Sequence, residues 1–211
     1  MRHFITVIAM TLATMGFAHA AGNITAGQGK AGMCMGCHGM DGNSMVPMFP
    51  SLAGQNERYI AKQLRDVKSG ARVINEMTGL VGALQDQDFE DLGAFYFTQV
   101  AKAGQGADAA LAELGKTLYM GGNAETGVAA CAACHSPTGK GNSAAGYPSL
   151  QGQHAPYVVA QLKKFREGAR HNGAATAAVR INDGDTRMMR DIAFKLKDFE
   201  IDALAAYVAG M

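Results

Sequence analysis

Two copies of one five-residue motif contain all four cysteines of the chain. The motif is Cys-x-x-Cys-His at residues 34–38 and again at residues 131–135. Thiols at this spacing can add to the two vinyl groups of a porphyrin, and the adjacent histidine is then delivered to one face of the iron. The pattern predicts two covalently bound haem c groups, with His38 and His135 each as one axial ligand. The attaching cysteines would be Cys34, Cys37, Cys131 and Cys134.

Other uses of paired cysteines fit the sequence less well. The two pairs lie 97 residues apart, whereas the pairs of a ribbon-type zinc site are separated by about 15–20 residues. A thioredoxin-like redox pair is expected near a βαβ pattern, which is absent around either motif. Only six of the 211 residues are histidines, so a histidine directly after both pairs favours haem attachment.

Residues 1–20 have the pattern of a cleaved export signal. Arg2 supplies the charged start, residues 4–18 are largely apolar, and residues 18–20 (Ala-His-Ala) have the form of a cleavage site. The apolar run is shorter than the about 20 residues that a transmembrane helix needs. The sequence therefore predicts a periplasmic protein that starts at Ala21 and has no membrane-spanning segment in its mature form.

The composition favours folding around a large apolar group. The chain has no tryptophan and only 7% aromatic residues, which is little material for two cores unless each one wraps a porphyrin. Lys plus Arg number 19 and Asp plus Glu number 18. This balance argues against a nucleic-acid partner, because such partners select strongly basic surfaces.

The chain is a tandem duplication. The sequence Pro-Ser-Leu-x-Gly-Gln occurs at residues 50–55 and, at an offset of 98 residues, at 148–153. A stretch of small residues near Gly104 has the composition of a linker. We expect a signal peptide at 1–20, an N-terminal domain at 21–103 and a C-terminal domain at 104–211. Further matches at the same offset pair Tyr59, Gln63, Leu64, Gly70 and Arg72 with Tyr157, Gln161, Leu162, Gly168 and Arg170.

Helical spacing of apolar residues predicts an all-α fold. Pro156 suits the first turn of a helix in the second half, and the first half has a matching apolar run at Tyr59, Ile60, Leu64 and Val67. Each half ends in a further helix, for which Asp86 and Asp198 are suitable N-caps.

An alignment of these closing helices identifies a ligand for the second axial position of each iron. At an offset of 112 residues, Met77 matches Met189. A thioether is a soft ligand that raises the reduction potential, and His/Met ligation is typical of electron-transfer cytochromes. We therefore predict Met77 and Met189 as axial ligands. The register is set by the pairs Leu84 with Leu196, Phe89 with Ile201 and Leu92 with Leu204.

Other ligands stay open at this point. Met188 is an alternative to Met189, and Met45 or Met48 to Met77, because most of the 13 methionines are expected to fill core gaps. His154 and His171 both lie in the second half, so they are alternatives for the second haem only.

Metal-bound imidazoles generally donate their outer ring proton to an acceptor. A proline follows each haem motif at a similar distance, Pro50 in the first half and Pro148 in the second. We expect the carbonyls of Pro50 and Pro148 to accept the ring protons of His38 and His135.

These features together resemble the cytochrome c4 family over essentially the whole mature chain. The resemblance rests on both haem motifs, on residues 39–44 (Gly-Met-Asp-Gly-Asn-Ser), on the repeated Pro-Ser-Leu-x-Gly-Gln, on residues 76–79 (Glu-Met-Thr-Gly) and on residues 182–190. It implies two tandem class I cytochrome c domains related by a pseudo-twofold axis, each wrapped around one covalent haem, with the propionate edges close together at the interface.

The resemblance also implies a function. Members of the family pass single electrons in the periplasm from a quinol-oxidising complex of the bc1 type to a terminal oxidase, often of the cbb3 type, and some associate peripherally with the membrane. We therefore expect an electron carrier rather than an enzyme. A di-haem peroxidase or a haem ligand sensor is the alternative, but it would need an iron with an open position. A subunit tethered to a dehydrogenase is a further alternative.

Overall fold

The computed structural model describes residues 21–106 and 108–211. The predicted signal peptide at 1–20 lies outside the described residues. Within them the fold is helical and the only β-structure is isolated bridges, which confirms the all-α prediction. The helices are α1 (Ile24–Lys30), α2 (Met35–His38), α3 (Glu57–Ser69), α4 (Asn75–Val81), α5 (Asp86–Phe97), α6 (Ala109–Gly121), α7 (Ala132–His135), α8 (Ala155–Arg170), α9 (Met188–Lys195) and α10 (Asp198–Ala209).

The two halves repeat one order of helices. Each has a helix before the haem motif, a one-turn motif helix, a central helix, a methionine-bearing helix and a closing helix. The first and last helices of each half cross with backbone contact at a glycine. A Cβ atom on Gly27 would lie 2.0 Å from the Asp91 carbonyl oxygen, and one on Gly115 would lie 2.0 Å from that of Ala203. Any side chain at either position would push the crossing helices apart.

Each half has its own hydrophobic core. Phe89 and Leu92 of α5 lie in the first core, and Ile201 and Leu204 of α10 lie at the matching places in the second. The domain boundary between residues 103 and 104 stays a prediction. In the part of the chain that is described, no helix has the length and apolar character needed to cross a membrane.

The closing helices begin differently from the sequence prediction. Asp86 and Asp198 were expected as N-caps, but they are the first helical residues, so this prediction is wrong. The N-caps are Gln85 and Lys197. Their backbone N–H groups donate to the third helical residue, at 2.7 Å to Asp88 and at 2.8 Å to Glu200. An acidic side chain at this position accepts a hydrogen bond from an otherwise free N–H, and its negative charge interacts favourably with the positive end of the helix dipole. It therefore decides where the helix starts.

Asp91 ties α1 to α5 in the first half. Its buried carboxylate accepts hydrogen bonds from the Asn23 N–H at 2.8 Å, from Lys30 Nζ at 2.9 Å and from Gln87 Nε2 at 2.9 Å. Burial raises the pKa of the Asp91 carboxyl, but these donors lower it more, so the net pKa lies below its usual value. A carboxyl with a lowered pKa stabilises the fold above about pH 4, and this contribution is lost as the pH falls through the lowered value.

Replacing Asp91 by alanine is expected to lower the free energy of unfolding by about 2–4 kcal/mol at pH 7, because it removes the buried carboxylate that joins the start and the end of α1 to α5. Denaturant unfolding of the haem-loaded protein, followed by far-UV circular dichroism, measures this. Asp86→Ala is the control, because Asp86 is 72% exposed in its ion pair with Arg65 and should contribute about 0.5 kcal/mol or less. Equal losses for the two variants would contradict the role given to Asp91.

Candidate functional site

Each cysteine pair lies on one helical turn that ends at the motif histidine. Cys34 and Cys131 are the N-caps of α2 and α7, and the second cysteine of each pair follows three residues later. Residues three apart on a turn share one face. All four thiols are free and half-buried. The structure thus presents two thiols on one side of each turn, as attachment to a flat group requires.

Cys34 and Cys131 are unsuited to nucleophilic chemistry, and no zinc site is indicated among the described residues. Burial raises the pKa of the Cys34 thiol and raises that of Cys131 to about 11. A raised pKa makes these two thiols poor nucleophiles at neutral pH, because the thiolate is the reactive form. In addition, the residues described contain no group of three His, Cys, Asp or Glu side chains that could hold a metal ion. The two cysteine pairs therefore serve two separate sites.

Both motif histidines are buried, and each is held by a proline carbonyl. His38 Nδ1 lies 2.8 Å from the Pro50 carbonyl oxygen, and His135 Nδ1 lies 2.9 Å from that of Pro148. This confirms the contact predicted from the sequence. Burial lowers the pKa of both imidazoles, against the opposing effect of the carbonyls, and so favours the neutral ring. Donation from Nδ1 leaves the lone pair on Nε2, which is the ligating form.

The methionines differ in exposure in a way that bears on the second axial ligand. Met77 lies in the first turn of α4, half-buried and packed against the first core. Its rivals Met45 and Met48 are 85% and 60% exposed, which argues against them. Met188 and Met189 are the first two residues of α9, and both are half-buried. Met77 and Met189 stay predictions as ligands.

The histidine alternatives lose support because their ring nitrogens are engaged. In buried His154, Nδ1 accepts from the Gln105 N–H at 2.9 Å and Nε2 donates to the Ser44 carbonyl at 2.9 Å. His171 is half-buried and bonds the Ala174 carbonyl through Nε2 at 2.7 Å. Ligation by either histidine would first have to break these contacts.

Comparison with known proteins decides the family. The model for the family described as cytochrome c matches residues 112–211. Cytochrome c4 of Azotobacter vinelandii is 47% identical over 220 residues, which cover 100% of both chains. This chain belongs to the cytochrome c4 family. It is therefore a di-haem electron-transfer cytochrome with two covalently bound haem c groups, and its halves have the class I cytochrome c fold.

A solved structure and a more distant relative extend the comparison. The crystal structure of reduced recombinant cytochrome c4 from Pseudomonas stutzeri matches with a TM-score of 0.83 at 47% identity, and the match covers 90% of this chain and 100% of that one. A thiosulfate dehydrogenase electron acceptor of Stutzerimonas stutzeri is 36% identical over 181 residues, which are 84% of this chain and 78% of the relative.

Two arginines at the contact between the halves fit the carboxylates of haem. Arg180 is buried and donates across the interface to Tyr59 Oη at 2.8 Å and to Gln63 Oε1 at 3.0 Å. Arg72 donates in the opposite direction, to Tyr157 Oη at 3.0 Å. These hydrogen-bond partners are neutral, although the charge of Asp66 also acts on Arg72, and a guanidinium pairs most strongly with a carboxylate. The donor set therefore suits a cytochrome c4, in which Arg72 and Arg180 would hold haem carboxylates.

Arg180 was missed by sequence reasoning, which matched Arg72 with Arg170. The two arginines match in the sequence at the offset of 98, but in the structure Arg180 makes the contacts that mirror those of Arg72. Helix α3 ends at Ser69 with left-handed Gly70 as its C-cap, whereas α8 runs past the matching Gly168 to Arg170. Arg170 lies outside the interface, over the ring of Phe194. A search for arginines in the segments that follow the two central helices, without a fixed offset, would have found Arg180.

Proposed function

We propose that this cytochrome carries single electrons in the periplasm from a quinol-oxidising complex of the bc1 type to a terminal oxidase of the cbb3 or another type. The observation that supports this most is the duplicated site. Each half holds a buried histidine fixed through Nδ1, and each carries a half-buried methionine in the first turn of the helix after its central helix, Met77 in α4 and Met189 in α9.

The residues of the chain perform four tasks in this proposal. The cysteine pairs fix the haem covalently, and the proline carbonyls fix the orientation of His38 and His135. Met77 and Met189 complete the coordination, so no position is left for a substrate. Arg72 and Arg180 hold carboxylates at the interface. When bound, haem supplies a one-electron ferric/ferrous couple. Because both axial ligands come from the protein, a change of charge requires little movement of the chain.

Stopped-flow kinetics with defined partners tests the proposed position in the respiratory chain. Reduction by a purified bc1-type complex with quinol is expected at both haems, and reoxidation is expected with membranes that contain a cbb3-type oxidase. Thiosulfate dehydrogenase with thiosulfate is the second donor to compare, because one relative is named as its electron acceptor. Faster reduction by that enzyme than by the bc1-type complex would replace the proposed donor.

Cell fractionation tests the proposed location. The haem-containing protein is expected in the fluid released by osmotic shock, with Ala21 as its first residue. Retention in spheroplasts, or an intact segment 1–20 in the haem-loaded protein, would contradict a periplasmic carrier.

A further inference from the structure

One peptide unit links the axial histidine of the first half to a glutamine of the second. The Pro50 carbonyl that accepts the His38 ring proton at 2.8 Å belongs to the same peptide unit as the Ser51 N–H. That N–H donates to Gln153 Oε1 at 3.0 Å. The hydrogen bonds therefore run from the imidazole through a single amide group into the opposite half.

The second half repeats the arrangement in the reverse direction. The Pro148 carbonyl accepts from His135 at 2.9 Å, and the Ser149 N–H of the same peptide unit donates to Gln55 Oε1 at 2.8 Å. Each half thus supplies the glutamine that completes the chain of hydrogen bonds in the other. The two series of hydrogen bonds are related in the way that the pseudo-twofold repeat requires.

Three hydrogen bonds fix each glutamine amide and settle its orientation. Besides the serine N–H, Gln55 Oε1 accepts from the Asn56 N–H at 2.9 Å and Gln153 Oε1 accepts from the His154 N–H at 3.1 Å. Gln153 Nε2 donates to the Ser51 carbonyl at 2.9 Å, and Gln55 Nε2 donates to the Ser149 carbonyl at 2.9 Å. With the amide nitrogen bound to a carbonyl, the oxygen must face the serine N–H. Both glutamines are buried, at 7% and 8% exposed. Water therefore competes little for these bonds.

The repeated Pro-Ser-Leu-x-Gly-Gln sequence builds this arrangement. The Gln55 N–H bonds the Leu52 carbonyl at 3.1 Å in a turn, and Gly54 has a φ of 67° at the third turn position. Gly152 has a φ of 68° in the matching turn. Left-handed backbone at that position favours glycine. The motif places the proline carbonyl, the serine N–H and the glutamine side chain at fixed points along one turn.

We propose that Gln153 tunes the potential of the first haem and Gln55 that of the second, so that each half sets the potential of the other. A hydrogen bond donated by the N–H of an amide polarises its carbonyl and makes it a stronger acceptor. A stronger acceptor at Nδ1 makes the imidazole a more basic ligand, which favours ferric iron. Both glutamines are positioning residues that act through the peptide unit. This inference rests on the proposed axial role of His38 and His135.

The test compares Gln153→Met and Gln55→Met in the haem-loaded full chain, because methionine keeps the length of the side chain and removes all three hydrogen bonds of the amide. Gln153→Met is expected to raise the potential of the first haem, and Gln55→Met that of the second. Strengthening by a neighbouring bond is about 10–30%, so the oxidised-to-reduced ratio at a fixed electrode potential should change about two- to threefold. For a one-electron couple this is about 20–30 mV.

A matched control separates tuning from loosening of the interface. Asn56 is buried and donates across the same interface to the Tyr147 carbonyl, which belongs to neither peptide unit. Asn56→Ala should therefore leave the difference between the two haem potentials unchanged. If Gln153→Met does not fold, Gln153→Glu keeps an oxygen acceptor for the Ser51 N–H. That variant should lower the potential of the first haem more than that of the second.

A second readout follows the hydrogen bond itself. In proton NMR of the reduced protein, the Nδ1–H signal of His38 should move to higher field in Gln153→Met while that of His135 stays in place. Gln55→Met should give the reverse. Equal shifts at both haems, a shift in the glutamine's own half, or reproduction of the effect by Asn56→Ala would overturn the inference. If His38 or His135 does not bind iron in the unmodified protein, the proposed function is refuted instead.

Discussion

Replacing Met189 by leucine is expected to open the iron of the second haem, whereas replacing Met188 should leave it six-coordinate. Leucine keeps the volume of the side chain but cannot bind iron. The reduced Met189→Leu protein should bind carbon monoxide at one haem of two, and the methionine-to-ferric-iron charge-transfer band should fall by about half. The potential of that haem should drop by on the order of 100 mV or more, because axial ligands set haem potentials over about 0.8 V.

The first half offers a parallel pair of variants. Met77→Leu should have the same effects on the first haem. Met48→Leu should have none, because the Met48 side chain is 60% exposed.

In the second half, the opposite result would contradict the choice of Met189. If Met188→Leu loses the sixth ligand and Met189→Leu keeps it, the offset of 112 residues misplaces the ligand by one position.

Removing the second cysteine pair is expected to leave a chain with one haem and an unfolded second half. In Cys131→Ala with Cys134→Ala, nothing fixes haem between α7 and α9, and a unit of about 100 residues with a thin core loses its largest apolar component. The haem content should fall from two to one per chain, and roughly half of the helical circular dichroism should be lost. The mirror variant, Cys34→Ala with Cys37→Ala, should do the same to the first half.

This experiment also tests the proposed division at residues 103 and 104. The remaining half should keep the spectrum and the axial ligands of its own haem. The potential of that haem should change only by the shift that follows from loss of the opposite glutamine. Cys131→Ala alone is the control, because Cys134 still forms one thioether bond and should keep the second half folded. Collapse of both halves in every paired variant would mean that the chain is one folding unit.

The contact of each motif histidine with a proline carbonyl was accessible from the sequence because its chemistry is local. Cysteine, histidine and proline positions within one motif and its following turn fix His38 against Pro50 without knowledge of distant contacts. The register of the closing helices was also accessible, since Leu84 and Leu196 lie at matching buried places. In contrast, the N-caps of those helices were misplaced by one residue, because Asp88 and Glu200 decide the start, whereas the first acidic residue of each helix had been expected to cap it.

The contacts between the halves were not accessible from the sequence. Gln55 and Ser149 lie far apart in the chain, and nothing local indicates that a glutamine side chain meets a backbone in the other half. Arg180 was hidden because the second half is longer after its central helix, which breaks the fixed offset. The role of its buried guanidinium follows from its hydrogen bonds to Tyr59 and Gln63 across the interface, which the sequence does not indicate.

We predict that each of the two irons is held between a histidine and a methionine of the chain. Optical spectra of the purified exported protein, taken oxidised, reduced, and reduced under carbon monoxide, test it most directly. We predict two haems per chain, a methionine-to-ferric-iron charge-transfer band from both, and no response to carbon monoxide. A carbon monoxide shift in the native protein would show that one iron is open, and would favour a peroxidase or a haem ligand sensor instead of a carrier.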